Sequence, residues 1–181
     1  MDIYVVRQGD TLFSVARAYG LPLRVLASQN GKEGDAQLVV GEALVIRMPR
    51  LIHTAAPGDT VYSVARRYDM DVRRLYRNNF FLGGRSGLRE GDPLVISFED
   101  NERLRSIEAN GYAYPYIDSA LLDSTLPYLS FLTPFTYGIA ADGSLLPLND
   151  SELLSAAGRL DAAPLMHLST LTEAGGFSNE R

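Results

Sequence analysis

An internal repeat constrains this chain more than any other feature of its sequence. Residues 9–19 (GDTLFSVARAY) recur 49 positions later as residues 58–68 (GDTVYSVARRY). The correspondence continues to Asn30 and Asn79 and, after one inserted residue, to the Leu-Val-Ile runs at 44–46 and 94–96. Two copies of one small folding unit therefore fill residues 2–98.

Each copy is predicted to form a strand, two helices and a second strand. In the first copy, residues 3–6 favour a β-strand, and Asp10 or Thr11 suits the N-cap of the first helix. Pro22 is expected in the first turn of the second helix, and residues 44–46 form the return strand. A two-stranded sheet is marginally stable alone, so both helices must pack on it. Apolar residues at helical spacing are Leu12, Val15, Ala16 and Tyr19, then Val61, Val64, Ala65 and Tyr68.

Both copies resemble LysM modules, the small βααβ carbohydrate-binding repeats of cell-wall proteins. The shared features are the opening Gly-Asp-Thr, the Tyr after the first helix, the Asn that closes the second helix and the final Gly-x-x-Leu-x-Ile. The resemblance gives a first module at 2–48 and a second at 51–98. The second copy departs by placing His53 where the first has Tyr4, and Pro57 where the first has Gln8.

The resemblance implies binding of glycans that contain N-acetylglucosamine, either peptidoglycan or chitin, with no cofactor. The sugar is expected in a shallow groove between the loop after the first strand and the loop before the second. Weak binding by each groove is expected to be reinforced by the tandem arrangement. The candidate glycan-binding residues are Gly9, Asp10, Thr11, Leu12, Asn30 and Leu38 in the first copy, and Gly58, Asp59, Thr60, Val61, Asn79, Phe80 and Leu88 in the second.

Several of these residues also have a purely structural interpretation. Asp10 and Thr11 suit helix caps, and Asn30 suits a helix terminator. Tyr19 and Tyr68 lie on the apolar stripe and are expected to pack in the core. Phe80 and Phe81 lie in a turn-rich loop, where an aromatic face stacks on a sugar ring or fills the module.

The second half of the chain has a different character. Residues 1–98 contain thirteen Lys and Arg against ten Asp and Glu, a net charge of +3. Residues 99–181 contain four against twelve, a net charge of −8, so a different kind of domain is expected. Residues 99–105 suit a linker. Beyond them, apolar strand-like runs alternate with helix-compatible runs, and Asp142-Gly143 indicates a tight hairpin, which together predict a parallel α/β arrangement.

Residues 106–181 resemble the opening of the family 18 glycoside hydrolase barrel, as it occurs in LysM-bearing enzymes that degrade bacterial spore cortex. The motifs are Gly-Tyr-Ala-Tyr-Pro-Tyr from 111, Leu-Thr-Pro-Phe-Thr-Tyr-Gly from 132 and Pro-Leu-Met-His-Leu-Ser from 164. The expected fold class is α+β: two βααβ modules, then the first three β/α units of a truncated (β/α)8 barrel. A candidate sugar subsite comprises Tyr112, Tyr114, Phe135 and Tyr137, which otherwise pack in the barrel core.

No catalytic residue is assigned. The family's signature, Asp-x-x-Asp-x-Glu on the fourth strand, is absent from residues 1–181, and Glu173 is a lone loop acid. The chain as given is therefore expected to be inactive, and its barrel part to need the remainder of the barrel or a complementing chain. Two alternatives remain open: an active glycosidase completed by a second polypeptide, and a structural spore-coat or wall-anchored protein.

Composition excludes other classes. The absence of cysteine and the wide separation of the two histidines argue against disulfide scaffolds and metal sites. A net charge of −5 disfavours nucleic acid, and no apolar run is long enough to span a membrane. No signal peptide is visible at the N-terminus, and location in the cell wall or spore cortex follows only from the resemblance.

Overall fold

The computed structural model describes residues 1–99, 107–140 and 142–170 of the chain. The chain forms two compact units, residues 1–105 and 106–181. Most of the expected linker and Glu173 lie outside the described residues. In the described part, no helix is long and apolar enough to cross a membrane.

The first unit contains both repeats, and each has the predicted order of elements. Module 1 consists of β1 (Asp2–Val5), α1 (Leu12–Ala18), α2 (Leu23–Gln29) and β2 (Ala43–Ile46). In this module β1 pairs with β2 antiparallel, with Ile3 opposite Val45.

Module 2 consists of β3 (Pro49–Thr54), α3 (Val61–Arg67), α4 (Val72–Asn78) and β4 (Pro93–Phe98). A short 3-10 helix, Phe80–Leu82, follows α4, and β3 pairs with β4 antiparallel.

Threonine begins the first helix of each module. Thr11 accepts a hydrogen bond from Ser14 N, and Ser14 Oγ accepts one from Thr11 N, both at 3.0 Å. Thr60 and Ser63 repeat this capping box in module 2. The expected N-cap is therefore Thr11 rather than Asp10. Pro22 lies at the N-cap of α2, one position before the first turn where it was predicted, because its ψ of 135° is not helical.

The predicted apolar faces form the module cores. In module 1, Leu12, Val15 and Ala16 are buried with residues from α2 and β2, including Leu26 and Leu44. Tyr19 is half-buried against this core, as expected. Burial of such side chains stabilises the fold by about 25 cal/mol for each Å² of apolar surface removed from water. The helices therefore supply the stability that a two-stranded sheet lacks.

A side-chain amide joins the second helix of each module to its return strand. Asn79 donates to Leu75 O and Val95 O and accepts from Val95 N, with distances of 2.7 to 3.0 Å. Asn30 makes the corresponding bonds to Leu26 and Val45. We call each of these asparagines the amide clasp of its module. Its side-chain amide both donates to and accepts from the main chain of one strand residue, as the main chain of a neighbouring strand does. The clasp also fixes where the next loop begins.

The two modules pack against each other. Val25 of α2 is buried with Val95 and Phe98 of β4. Arg24 forms an ion pair with Asp92, and Phe81 N donates to Ser28 Oγ at 3.2 Å. Residues of α2 in module 1 are therefore part of the interface with module 2.

The second unit has the predicted parallel order. Strands β5 (Asn110–Ala113) and β6 (Phe131–Pro134) pair in parallel, and β9 (Ala163–Pro164) pairs with β6 on the other side. Helices α5 (Ser119–Thr125) and α6 (Ser151–Arg159) connect them.

The predicted hairpin turn at Asp142-Gly143 joins two short strands, β7 (Gly138–Ile139) and β8 (Leu145–Leu146). The strands of the parallel sheet are shorter than predicted. The third predicted run begins at Pro164, and only this residue of the run lies in a strand, β9. Leu126–Tyr128 forms a 3-10 helix with Pro127 in its first turn. The described residues of the second unit thus contain a sheet of three parallel strands, with a helix in each of the two connections.

The amide clasp generates a stability prediction. Replacing Asn79 by Ala leaves Val95 N and two carbonyl groups without partners in a buried place, so unfolding free energy should fall by on the order of 3 kcal/mol. The neighbouring Asn78 makes one bond, to Ile96 O, and N78A should cost about 1 kcal/mol. Urea denaturation followed by far-UV circular dichroism measures both. Equal losses of unfolding free energy in the two variants would contradict the stabilising role of the amide clasp.

Candidate functional site

Module 1 has an open groove between its two predicted loops. The groove has a volume of about 450 Å³ and is lined by residues 10–13 and 34–38. The predicted residues Asp10, Thr11, Leu12 and Leu38 therefore come together at one place. We call this the module 1 groove. Its size falls within the range of small-ligand sites.

Gly9 and Gly58 act through backbone conformation. Their φ angles are +86° and +82°, which side chains other than glycine rarely adopt. No atom lies within 4 Å of where a Cβ would be, so neither glycine is needed for close approach of another part of the chain. They turn the chain from the first strand into the loop that carries the groove residues.

Asp10 holds this loop in shape. Its Oδ2 accepts hydrogen bonds from Tyr4 OH at 2.6 Å and from Arg7 N at 2.7 Å. These two bonds lower the pKa of Asp10, and the bond from Tyr4 has the larger effect. The hydrogen bond between Tyr4 and Asp10 also raises the pKa of Tyr4. The carboxylate is therefore ionised at neutral pH and is engaged within the loop.

In module 2 a histidine takes the place of the tyrosine. Buried His53 contacts Asp59 Oδ2 through Nε2 at 2.9 Å and the Tyr68 hydroxyl through Nδ1 at 3.2 Å. Ala56 N donates to the same Asp59 oxygen at 2.9 Å, and Arg67 approaches the other oxygen. The Ala56 bond first, and then His53, lower the pKa of Asp59. Asp59 thus repeats the role of Asp10.

The predicted asparagines lie behind the groove rather than in it. Asn79 is only 1% exposed, and the polar atoms of Asn30 and Asn79 are bonded to main chain by the clasps. Their contribution to a site is to position the loop that follows them.

The loops of module 2 are joined to each other. Val61 N donates to Ser86 O at 2.9 Å, and Thr60 forms an antiparallel bridge with Gly87. Thr60, Val61 and Leu88 are brought near one another as predicted, but the edges of their groove are connected by main-chain bonding.

Sequence reasoning missed an aromatic residue at the module 1 groove. Phe13 lines the groove and is 61% exposed, and its counterpart Tyr62 in module 2 is 43% exposed. Phe13 directly follows the buried Leu12, off the apolar stripe of α1. A large apolar ring outside the buried face of α1 was the sequence signal that could have identified Phe13 as a candidate binding residue. Phe80 is exposed, whereas Phe81 is half-buried and lies under the Arg24 guanidinium, 4.6 Å from the ring centroid.

A second cluster of aromatic rings lies in the other unit, near the carboxyl ends of β5 and β6. Tyr114 stacks on Tyr116 with ring centroids 5.1 Å apart and meets Phe135 edge-on at 5.2 Å. His167 stacks on Phe135 at 5.0 Å and meets Tyr112 edge-on at 5.8 Å. We call these five residues the aromatic cluster.

Three of the four predicted subsite residues belong to the aromatic cluster. The fourth, Tyr137, instead donates a hydrogen bond to Asp150, which raises the pKa of Tyr137. Tyr116 and His167 were missed, although both lie in the motifs that carried the resemblance. Among the described residues, no group of three His, Asp or Glu could hold a metal ion.

Comparison with known proteins identifies the repeats. Residues 4–47 and 53–97 each match the LysM domain family, so the chain contains two LysM modules. One relative, YdhD of Bacillus subtilis (strain 168), bears the name of a sporulation-specific glycosylase and is 30% identical over 181 residues. A segment of 46 residues is 44% identical to the N-acetylmuramoyl-L-alanine amidase XlyA of the same organism, covering 25% of this chain and 16% of that protein.

Two solved structures of spore cortex-lytic enzymes are also similar to this chain. The spore cortex-lytic enzyme SleL of Bacillus cereus is 25% identical, with a TM-score of 0.57 over 99% of this chain. SleL of Bacillus megaterium QM B1551 is 27% identical, with a TM-score of 0.53 over 98%. The match with YdhD also covers 99% of the chain. In each case the chain spans 42% of the relative's length. The chain is thus similar throughout to part of these longer proteins.

The contacts of Asp59 generate a pH prediction. Because folding lowers the pKa of Asp59, its carboxylate stabilises the fold at pH values above the ordinary Asp range, about 3.9. That contribution is lost as the pH falls through the lowered pKa of the folded state. D59N should therefore unfold at lower urea than the parent at pH 7, with the difference narrowing below about pH 4. Exposed Asp35, as D35N, is the control, and an equal D59N deficit at pH 3 and pH 7 would contradict the prediction.

Proposed function

We propose that this chain binds N-acetylglucosamine-containing cell-wall glycan, of the peptidoglycan or spore-cortex type, through its LysM modules. The observation that carries the proposal is the module 1 groove, which lies between the two predicted loops of a LysM module and is lined by the exposed ring of Phe13. The similarity to spore cortex-lytic SleL supports the choice of a bacterial wall glycan.

The chemistry of the groove suits an N-acetylated sugar. An acetamido group carries one N–H donor, one carbonyl acceptor and a methyl group, so it needs main-chain partners beside a small apolar surface. The groove is lined by the loop at 34–38 and by the apolar residues Leu12, Phe13 and Leu38. An exposed phenylalanine ring also provides a face on which a sugar ring packs. The groove is shallow, so affinity for a short oligosaccharide should be modest.

The second unit is proposed to be the opening part of a family 18-type glycosidase, which the LysM modules direct to its substrate. Support comes from the parallel β5-β6-β9 order and from the aromatic cluster at the strand ends, where α/β barrels place their sites. Tyr112 and Tyr114 are 63% and 49% exposed, which suits a sugar-binding surface.

A second candidate function is an active glycosidase completed by another polypeptide. The observation that favours it is that β5 and β9 each have one neighbour within the sheet of the described residues, so both outer edges are available for further strands. The completing segment would also have to carry the catalytic carboxylates.

Glycan binding is tested by co-sedimentation of the purified chain with insoluble peptidoglycan. Most of the chain should sediment with the native polymer and remain in solution with polymer that has been chemically de-N-acetylated, because the acetamido group supplies the specific contacts. Chitin beads serve as the comparison glycan. If a folded chain stays in the supernatant with peptidoglycan and with chitin, the proposal fails.

Hydrolysis by this chain alone is not expected. Glycoside cleavage needs a carboxylic acid that protonates the leaving oxygen, and the Asp-x-x-Asp-x-Glu motif is absent from residues 1–181. Incubation with cortex fragments or chitooligosaccharides should release no new reducing ends above the buffer blank. Turnover that E173Q abolishes, and that E152Q on the exposed face of α6 leaves intact, would favour the second candidate.

A further inference from the structure

We propose that the two modules form one composite glycan site rather than two independent sites. Module 1 supplies the open groove, and module 2 contributes Phe81 to a cleft that extends this groove. The inference rests on the proposed glycan binding and specifies how the repeat is used.

The first step is the difference between the two grooves. In module 2, Val61 N donates to Ser86 O at 2.9 Å, and Thr60 and Gly87 form a bridge. The corresponding residues of module 1 are Leu12 and Ala36, and no main-chain hydrogen bond joins them in the described structure. The module 1 groove of about 450 Å³ lies between the same two loops.

This difference matters for an acetamido ligand. The bond between Val61 and Ser86 is itself an amide-to-amide hydrogen bond, so a sugar entering module 2 must replace an existing bond with a similar one. A sugar entering module 1 has no corresponding main-chain bond between Leu12 and Ala36 to replace in the described structure. The open groove is therefore favoured over the closed one for the same ligand.

The second step is the cleft beside the open groove. It has a volume of about 330 Å³ and is lined by Arg24, Ala27, Lys32, Glu33, Gly34 and Phe81. Gly34 lines both the cleft and the module 1 groove, so the two spaces lie next to each other at this residue. Phe81 belongs to module 2 and is held at the interface by its bond to Ser28 Oγ. An oligosaccharide longer than a disaccharide can therefore extend from the groove into the cleft.

The charges of the cleft indicate which part of a glycan it accepts. Arg24 is paired with Asp92, and Lys32 Nζ lies 2.6 Å from Glu42 Oε1. Glu33 adds a further carboxylate. Because the two cations are matched by carboxylates, the cleft suits an uncharged stretch of N-acetylated sugar and not an anionic substituent. The sugar would contact the part of the Phe81 ring that the Arg24 guanidinium does not cover.

Nuclear magnetic resonance titration of the ¹⁵N-labelled chain locates the site. The probes are N-acetylated chitobiose and chitohexaose. Amides of residues 10–13 and 34–38 should shift with both probes, and the Phe81 amide should shift with chitohexaose only. The amides of Tyr62 and Gly87 in module 2 should not shift, and saturation should need one equivalent. Shifts of similar size in both grooves, or saturation at two equivalents, would overturn the composite site.

Matched variants measure how much Phe13 and Phe81 contribute to binding of the two probes. F13A should weaken binding of both probes about tenfold, whereas Y62A, at the equivalent position of module 2, should change it less than about twofold. F81L keeps apolar volume at the interface but removes the ring, and it should weaken chitohexaose several-fold while leaving chitobiose unchanged. Y62L, which makes the same kind of change at the bonded loops of module 2, is its control and should leave the affinity for both probes unchanged.

The outcomes separate the two proposals. If the parent chain binds neither the probes nor peptidoglycan, the proposed function and the composite site both fail. If the parent binds but Y62A loses as much as F13A, or F81L binds chitohexaose as the parent does, only the composite site fails.

Discussion

The amide clasp is the interaction on which the arrangement of each module depends. A sheet of two strands exposes main-chain groups and has too little surface to hold two helices by itself. Asn30 and Asn79 satisfy the main chain of the return strand at Val45 and Val95 while capping the carbonyl groups of the preceding helix. Because the clasp ends the helix and binds the strand at once, it sets the span of the loop between them. That loop forms one wall of the groove.

Much of the first unit could be predicted from sequence because the repeat compares the chain with itself. Positions that agree in both copies, such as Thr11 with Thr60, include the helix caps and the amide clasps. Comparing the two copies could not reveal how their binding loops differ. Phe13 and Tyr62 are both aromatic, and Ala36 and Ser86 are both small, yet their surroundings differ. Whether two loops are bonded or open depends on backbone geometry, which periodicity does not encode.

In the second unit, the sequence predicted the order of strands and helices correctly but not their lengths. Alternating apolar runs correctly indicated parallel strands joined by helices. The strand lengths were overestimated, because an apolar run can continue beyond the residues that pair with a neighbouring strand: of the run from Tyr128 to Gly138, only Phe131–Pro134 belongs to the parallel sheet. Tyr137 was predicted to lie with the other aromatic residues because the resemblance to a barrel puts all four at strand ends. Its hydroxyl is bound by Asp150, a partner that lies thirteen residues away and could not be read from the strand pattern.

The burial of Val25 between the modules also bears on how such repeats evolve. A module that met its neighbour only through a linker could be duplicated, moved or lost by recombination without harm to the rest. Here Val25 is 2% exposed because Val95 and Phe98 of the second copy cover it. A gene exchange that transferred the first copy alone would leave an apolar patch in water. The second copy therefore stabilises the first through this surface, whether or not its own loops bind a ligand.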